Sequence, residues 1–362
     1  AMAEEAGQNS PGVMLGGVYQ HESRTQHDAA AIGYPLIAAA IAGISAGLGS
    51  APVIIADFGA AQANNSLRPV ALALDRIRSS SPDVGFTVVH TDLPHNDFAT
   101  LFDVVDRSPE SYLNGRAEVF PFVAGRSFYD RIFPPSSLTF GWSSSSLHWL
   151  SAAPAPIPDH FFVHLSEHAP ARHAYRACSQ DDWTSFLDHR SVELAPGGGL
   201  VVVDVLRGDD GLVGSEALFD CLESALRQCR DDGLVTHVEY DSLVYPTWFR
   251  SVDELRAPFT PNFVGSAGNE LALLDCITTV LEDPFAALLE RGEVGDYASA
   301  QAGFLRGFLS PSFESQLDPG RSSADKNAVL DEIWRRTAER IAADPHAAAP
   351  AYRLSAVRIR RL

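Results

Sequence analysis

Apolar positions along this chain follow two periods. Runs of strand length occur at Val53 to Ile55, Gly85 to His90, Val119 to Val123, Leu138 to Phe140, Phe161 to Leu165 and Leu200 to Leu206. Elsewhere the spacing turns helical, over Val70 to Ile77, Trp183 to Leu194, Leu218 to Arg230, Asn269 to Leu289 with a break near Pro284, and Lys326 to Ala343. Short buried strands alternating with amphipathic helices predict an α/β fold around a largely parallel sheet. Tyr352 to Ile359 alternates as a half-buried strand, and its late position fits an added edge strand. Gly125 to Phe133 reads as a turn opening an aromatic helix, and Ser66 is placed to cap the helix after the first strand. The stripe of Val329, Leu330, Ile333, Trp334 and Ile341 reads as core.

No charged residue stands between Asp28 and Asp57, which raises the question of a membrane span. Gly33, Pro35, Gly43, Gly47, Gly49 and Pro52 interrupt the run and alanine supplies much of it, so a buried helix leading into the first strand is expected instead. Residues 1–12 are mostly polar or small and predict a disordered start, with Ala1 reading as a cloning remnant. The polar segment from Met14 to Gln26 could form a lid over a site.

The first strand carries the clearest chemistry. Val53, Ile54 and Ile55 suit a central parallel strand, Asp57 sits at its carboxyl end, and Gly59 lets backbone approach a ligand. Ala60, Ala61 and Ala63 leave room beside it. This outlines a cofactor site, but without the three-glycine dinucleotide fingerprint or the Gly-Lys-Ser/Thr of a triphosphate loop. The second strand ends in Thr91-Asp92-Leu93-Pro94, where a carboxylate suits paired ribose hydroxyls; a turn-forming Asp before Pro is the plainer reading. Four serines, 143 to 146, beside His148 and Trp149 make poor core and suit a polar pocket wall.

Composition bears on the partners. The 362 residues can bury a sizeable core. A formal charge of -19, with Lys326 the single lysine, argues against nucleic acid, which needs clustered cations. Cys178, Cys221, Cys229 and Cys276 lack metal spacing and read as buried thiols in a reducing, cytoplasmic compartment.

Several motifs in order resemble the SABATH family of S-adenosylmethionine-dependent methyltransferases. They are Tyr19 with Ser23 and Gln26, IADFGAAQANNSL at 55–67, TDLPHNDF at 91–98, GRSFYDRIFPPSSL at 125–138, SSSSLHWLS at 143–151 and FLDHRSVELAPGGGLVVV at 186–203. The likeness spans most of the chain. It implies a Rossmann-like core (13–206 with 233–259 and 326–362), a mostly helical cap (207–232 with 260–325) over the acceptor pocket, and a homodimer. It also implies S-adenosyl-L-methionine as cofactor. Ser23, Asp57, Gly59 and Asn65 would surround the methionine part with Tyr19 contributing, Asp92 would hold the ribose hydroxyls, and Leu93, Ser127 and Phe128 would surround the adenine. Some members carry Mg²⁺, and Asp159, Asp241 and the Leu243 carbonyl resemble its ligands; two surface aspartates is the plainer reading.

On the acceptor side, Gln26 and Trp149 resemble the family's carboxylate clamp. The chain departs from the family at Ser145, where Tyr is usual, and at Glu22, where Asn is familiar. A fixed carboxylate at 22 would repel an anionic substrate. Ser145, Glu22 and His148 offer the hydrogen bonds a polyhydroxyl ligand needs. The expectation is methylation of a hydroxyl on a polar small molecule such as a sugar, with His148 or Glu22 as base and Trp149 and Trp248 as stacking surfaces. The alternative is carboxyl methylation of a fatty or aromatic acid, with Glu22 a solvated lid residue and His148 a neutral wall. A catalytically inactive cofactor-binding protein is a weaker alternative. The missing glycine fingerprint disfavours a nicotinamide-dependent oxidoreductase.

Overall fold

The computed structural model describes residues 24–44 and 52–362. Its frame is one eight-stranded sheet in the order β3-β2-β1-β4-β5-β8-β7-β6. The first five strands, β1 (Val53–Phe58), β2 (Phe86–Asp92), β3 (Val119–Gly125), β4 (Leu138–Ser144) and β5 (Leu194–Val205), pair in parallel. β6 (Phe263–Val264), β7 (Glu270–Glu282) and β8 (Ala351–Arg361) extend the sheet antiparallel. From β1 the chain steps outward to β2 and β3, then returns to lay β4 on the other side of β1. That reversal opens a crevice at the carboxyl ends of β1 and β4, the place where such sheets bind ligands.

Five local expectations are corrected. The last strand, β8, is not an edge; it lies between β5 and β7, and β6 holds the edge. The expected helix over Asn269 to Leu289 is mostly β7: its start has helical spacing, but Ile277, Thr278, Thr279 and Val280 are β-branched and the segment pairs with β8 nearly end to end. Gly125 to Phe133 opens no helix. Buried Arg190 donates to the carbonyls of Phe128 and Asp130 at 2.8 and 2.9 Å, while Glu193 accepts from the N–H groups of Ile132 and Phe133, so side chains satisfy this turn's backbone. Phe161 to Leu165 is a single bridge from Phe162 to Tyr245 and then a 3₁₀ turn, and Ser66 makes no side-chain cap.

The uncharged stretch folds as helices Arg24–Ala30 and Tyr34–Ile44 joined by a 3₁₀ turn. His27–Ile44 is long and apolar enough to cross a bilayer, yet Leu36, Ile37, Ala40, Ile41 and Ile44 are buried in the sheet's core. Gly33 allows this approach, since a Cβ there would fall 2.5 Å from Val203 of β5. Helix Ala169–Glu193 packs Trp183, Phe186 and Leu187 beside Leu200 and Val202 of β5. Helices Glu216–Asp231, Val294–Gln316 and Ser323–Ala343 share one apolar cluster with Phe162, Tyr245 and Phe249.

Candidate active site

The carboxyl ends of β1 and β4 converge on a cavity. β1 runs into Gly59 at φ 79°, the left-handed region glycine favours, and a Cβ there would fall 2.3 Å from the Ser146 hydroxyl. The N–H groups of Gly59 and Ala60 donate to Thr91 O, both at 3.0 Å, and that of Ala61 donates to Asp92 Oδ2 at 2.7 Å. These bonds stitch the glycine loop to the end of β2 and hold Ala61 and Ala63 at φ 47° and 66°. Asp57, Gly59, Asn65 and Ser145 line the cavity. Phe128 stands beside Gly59, within 3.4 Å of its built Cβ. Asn64 Nδ2 and Ser144 Oγ are buried at the cavity with no partner among the described residues, polar atoms that a ligand would meet.

Asp57 is held from behind. Its Oδ2 bonds His90 Nδ1 at 2.8 Å, and His90 Nε2 meets the Tyr112 hydroxyl at 2.9 Å, all three residues being buried. This fixes one carboxylate oxygen and leaves the other for the cavity. Asp92 accepts from the N–H groups of Ala61 and Leu93, each at 2.7 Å. Burial nevertheless pushes its carboxyl up to about 6. Asp92 registers with Gly125 of β3, which brings Leu93 toward the turn bearing Ser127 and Phe128.

A second cavity shares Ser145 with the first. Ser145 takes φ 54°, and its N–H donates to Val203 O at 2.9 Å. The walls are largely apolar: Phe219, Tyr245, Phe249, Phe304, Phe308 and Leu354. His148 and Trp149 line it near Ser145 in sequence. His148 Nδ1 bonds Asp204 Oδ1 at 2.5 Å, both side chains being buried, which leaves Nε2 as the remaining ring nitrogen. The Tyr129 hydroxyl donates to the carbonyls of Leu147 and Trp149 at 3.1 and 2.7 Å, and Arg250 donates to Leu147 O at 2.6 Å. Burial pushes the Tyr129 phenol up, which keeps it the protonated donor that this clamp requires.

A family model described as SAM-dependent carboxyl methyltransferase matches residues 14–262. The chain belongs to this family. A probable jasmonic acid carboxyl methyltransferase of Theobroma cacao is 29% identical over 350 residues, with 89% of each chain covered. The jasmonate O-methyltransferase of Arabidopsis thaliana is 27% identical over 330 residues, 82% of this chain and 83% of that one. A solved loganic acid methyltransferase with SAH superposes at TM-score 0.74 and 20% identity, covering 100% of this chain and 98% of the other. The SABATH resemblance, the Rossmann-like α/β fold and the S-adenosylmethionine cofactor are therefore all found as expected. The protein is an S-adenosylmethionine-dependent O-methyltransferase.

In this methyltransferase Asp57, Gly59 and Asn65 meet at one cavity, His148 and Trp149 at the other, and Ser145 at both. Trp248 lines neither. It is buried with Leu150, Val163 and Tyr175, packs tilted against His164 with ring centroids 4.5 Å apart, and its indole donates to Glu254 at 3.1 Å. The turn that aims Tyr245 and Phe249 inward aims Trp248 away. Asp159 accepts from Ser166 and Glu167, Asp241 is exposed, and Leu243 ends helix His237–Ser242. Among the described residues no group of three acidic, histidine or cysteine side chains could hold an ion. Tyr19, Glu22 and Ser23 lie outside the described residues, and Gln26 is placed only as backbone of helix Arg24–Ala30.

Asp204, His90 and Tyr112 escaped the sequence reading. Two of them left a signal: a lone carboxylate inside the buried run LVVVDVL, and a histidine closing the run GFTVVH. Tyr112 left none.

Proposed function

We propose that this methyltransferase esterifies the carboxylate of a largely apolar acid. The supporting observation is the cavity beyond Ser145, whose walls are largely aromatic and aliphatic and which brings His148 and Trp149 to the side it shares with the cofactor cavity. A sugar placed there would exchange water for rings and leave hydroxyls unpaired, which costs free energy. The sugar-hydroxyl expectation therefore gives way to the carboxyl alternative.

S-adenosylmethionine, when bound, supplies a methyl already electrophilic on its sulfonium. The protein's task is to position the acceptor oxygen and exclude water. Asp57, Gly59 and Asn65 would hold the methionine end, Asp92 the ribose hydroxyls, and Leu93, Ser127 and Phe128 the adenine. His148 as imidazolium would donate through Nδ1 to Asp204 and through Nε2 to one acceptor oxygen. The Trp149 indole would donate to the other, with Gln26 beside it. A carboxylate arrives deprotonated, so no base is needed. The unpaired cysteines support a cytoplasmic location. Sedimentation of the full chain tests the homodimer.

The Asp204–His148 pair favours one second reading. With His148 neutral, Nε2 could take the proton of a hydroxyl acceptor. Labelled methyl transfer to fatty acids, aromatic acids and sugars separates the two. The carboxyl reading expects a base-labile ester. A base-stable ether replaces it with the hydroxyl reading.

A further inference from the structure

The acceptor cavity has a second polar end. Ser215 occupies the N-cap of helix Glu216–Asp231, where a serine hydroxyl ordinarily accepts a backbone N–H. Here it makes no cap bond, and the Glu216 carboxylate accepts instead from the N–H groups of Val213 and Gly214 at 2.5 and 3.0 Å. The Ser215 residue is 3% exposed, its hydroxyl has no partner among the described residues, and it lines the acceptor cavity. Tyr352 of β8 lines the same cavity at 8% exposure, and its hydroxyl too has no partner among the described residues. The Ala351 N–H donates to Gly214 O at 2.7 Å, which sets these two residues on adjoining strands of chain. Burial pushes the Tyr352 phenol well up, so it remains a donor. Buried hydroxyls without partners are uncommon, and two lining one ligand cavity point to a ligand oxygen.

Their place is set by the β5–β8 register. Asp204 lies opposite Ser355, and Val205 opposite Leu354. Tyr352 shares a face with Leu354 one pleat further on, so about 10 Å of strand separates the level of Asp204 from that of Tyr352. The His148 end and the Ser215–Tyr352 end are thus separated by apolar wall.

We infer that the natural acceptor carries a second oxygen, a hydroxyl or carbonyl, at the end of its apolar body remote from the carboxylate, and that Ser215 and Tyr352 recognise it. The inference rests on the carboxyl reading for which end is methylated. An acid without that oxygen would leave both hydroxyls unpaired in a desolvated cavity, and sites built to bond an oxygen discriminate against such analogues.

The test compares ω-hydroxy acids with their unsubstituted counterparts, from hexanoic to decanoic acid, by kcat/KM with the full chain. Wild type is expected to favour the hydroxylated member about tenfold at a preferred chain length. The ratio should fall toward one in Tyr352→Phe and in Ser215→Ala, a readout that a loss of folding alone would not move. Equal kcat/KM for both members at every length, as when water meets the two hydroxyls, overturns the inference. So does a preference that survives both substitutions. If no acid yields a base-labile ester, the carboxyl reading fails, and the same pairs are compared by binding to the protein with S-adenosylhomocysteine. A preference for the hydroxylated member that Tyr352→Phe abolishes supports the distal site, and equal affinities overturn it.

Discussion

The two cavities that meet at Ser145 recognise by different physics. Around the cofactor cavity, fixed charges and backbone dominate: Asp57 is locked by His90 and Tyr112, and the glycine loop is tied to Thr91 and Asp92. The acceptor cavity is shaped by rings from separate helices and loops, with its polar groups confined to two places. A charge held rigidly selects one constant ligand, whereas an apolar wall selects by shape and changes with each side chain. Substitutions in the first should move cofactor affinity, and substitutions in the second should move acceptor kinetics.

The largest effect is expected at Asp57. Asp57→Ala removes a charged hydrogen-bond acceptor worth about 1.5–3 kcal/mol, so calorimetry should find S-adenosylhomocysteine binding weakened by roughly 10- to 100-fold. A change of under about threefold would mean that the fixed charge does not carry cofactor recognition. Next comes Asp204. Asp204→Asn keeps the shape but removes the charge that holds His148, and kcat/KM for the acid should fall by about tenfold through KM. Cofactor affinity should stay near wild type, and an equal loss there would show the cavities to be one coupled unit.

The cofactor half was legible because its geometry is local. A buried β-branched run, a carboxylate and a glycine within seven residues, Val53 to Gly59, already specify a strand, a turn and an anion at the strand's carboxyl end. The acceptor half is assembled from segments as distant as Ser145 and Tyr352, and no local pattern brings them together. Trp248 shows the limit. It was expected as a stacking surface beside Trp149, and the path of the turn sends it into another cluster while Tyr245 and Phe249 reach the cavity. Segment 270–282 failed for a related reason, since pairing with β8 outweighed its helical spacing.

Trp248 therefore offers a third check. Trp248→Phe loses the indole donor to buried Glu254, which should lower stability by about 1–2 kcal/mol in chemical denaturation. Acceptor KM should stay within about twofold, and a tenfold rise would return Trp248 to the pocket.

The smallest effect is expected from pH acting on Asp92. Burial raises its carboxyl to about 6 in the free protein, so the fold itself disfavours the ionised form. Its contribution to folding stability therefore falls as pH rises from the ordinary carboxylate range through 6. Cofactor binding has the opposite sign. Ribose hydroxyls donate to a carboxylate and so favour its ionised form, which draws the pKa down in the complex. Affinity should be full above pH 6 and weaken as pH falls below it, by about three- to tenfold across one unit, with proton release on binding in that range. Calorimetry in buffers of different ionisation enthalpy measures both quantities. Asp92→Asn should abolish the slope, and a slope unchanged in that variant would assign the titration to another group.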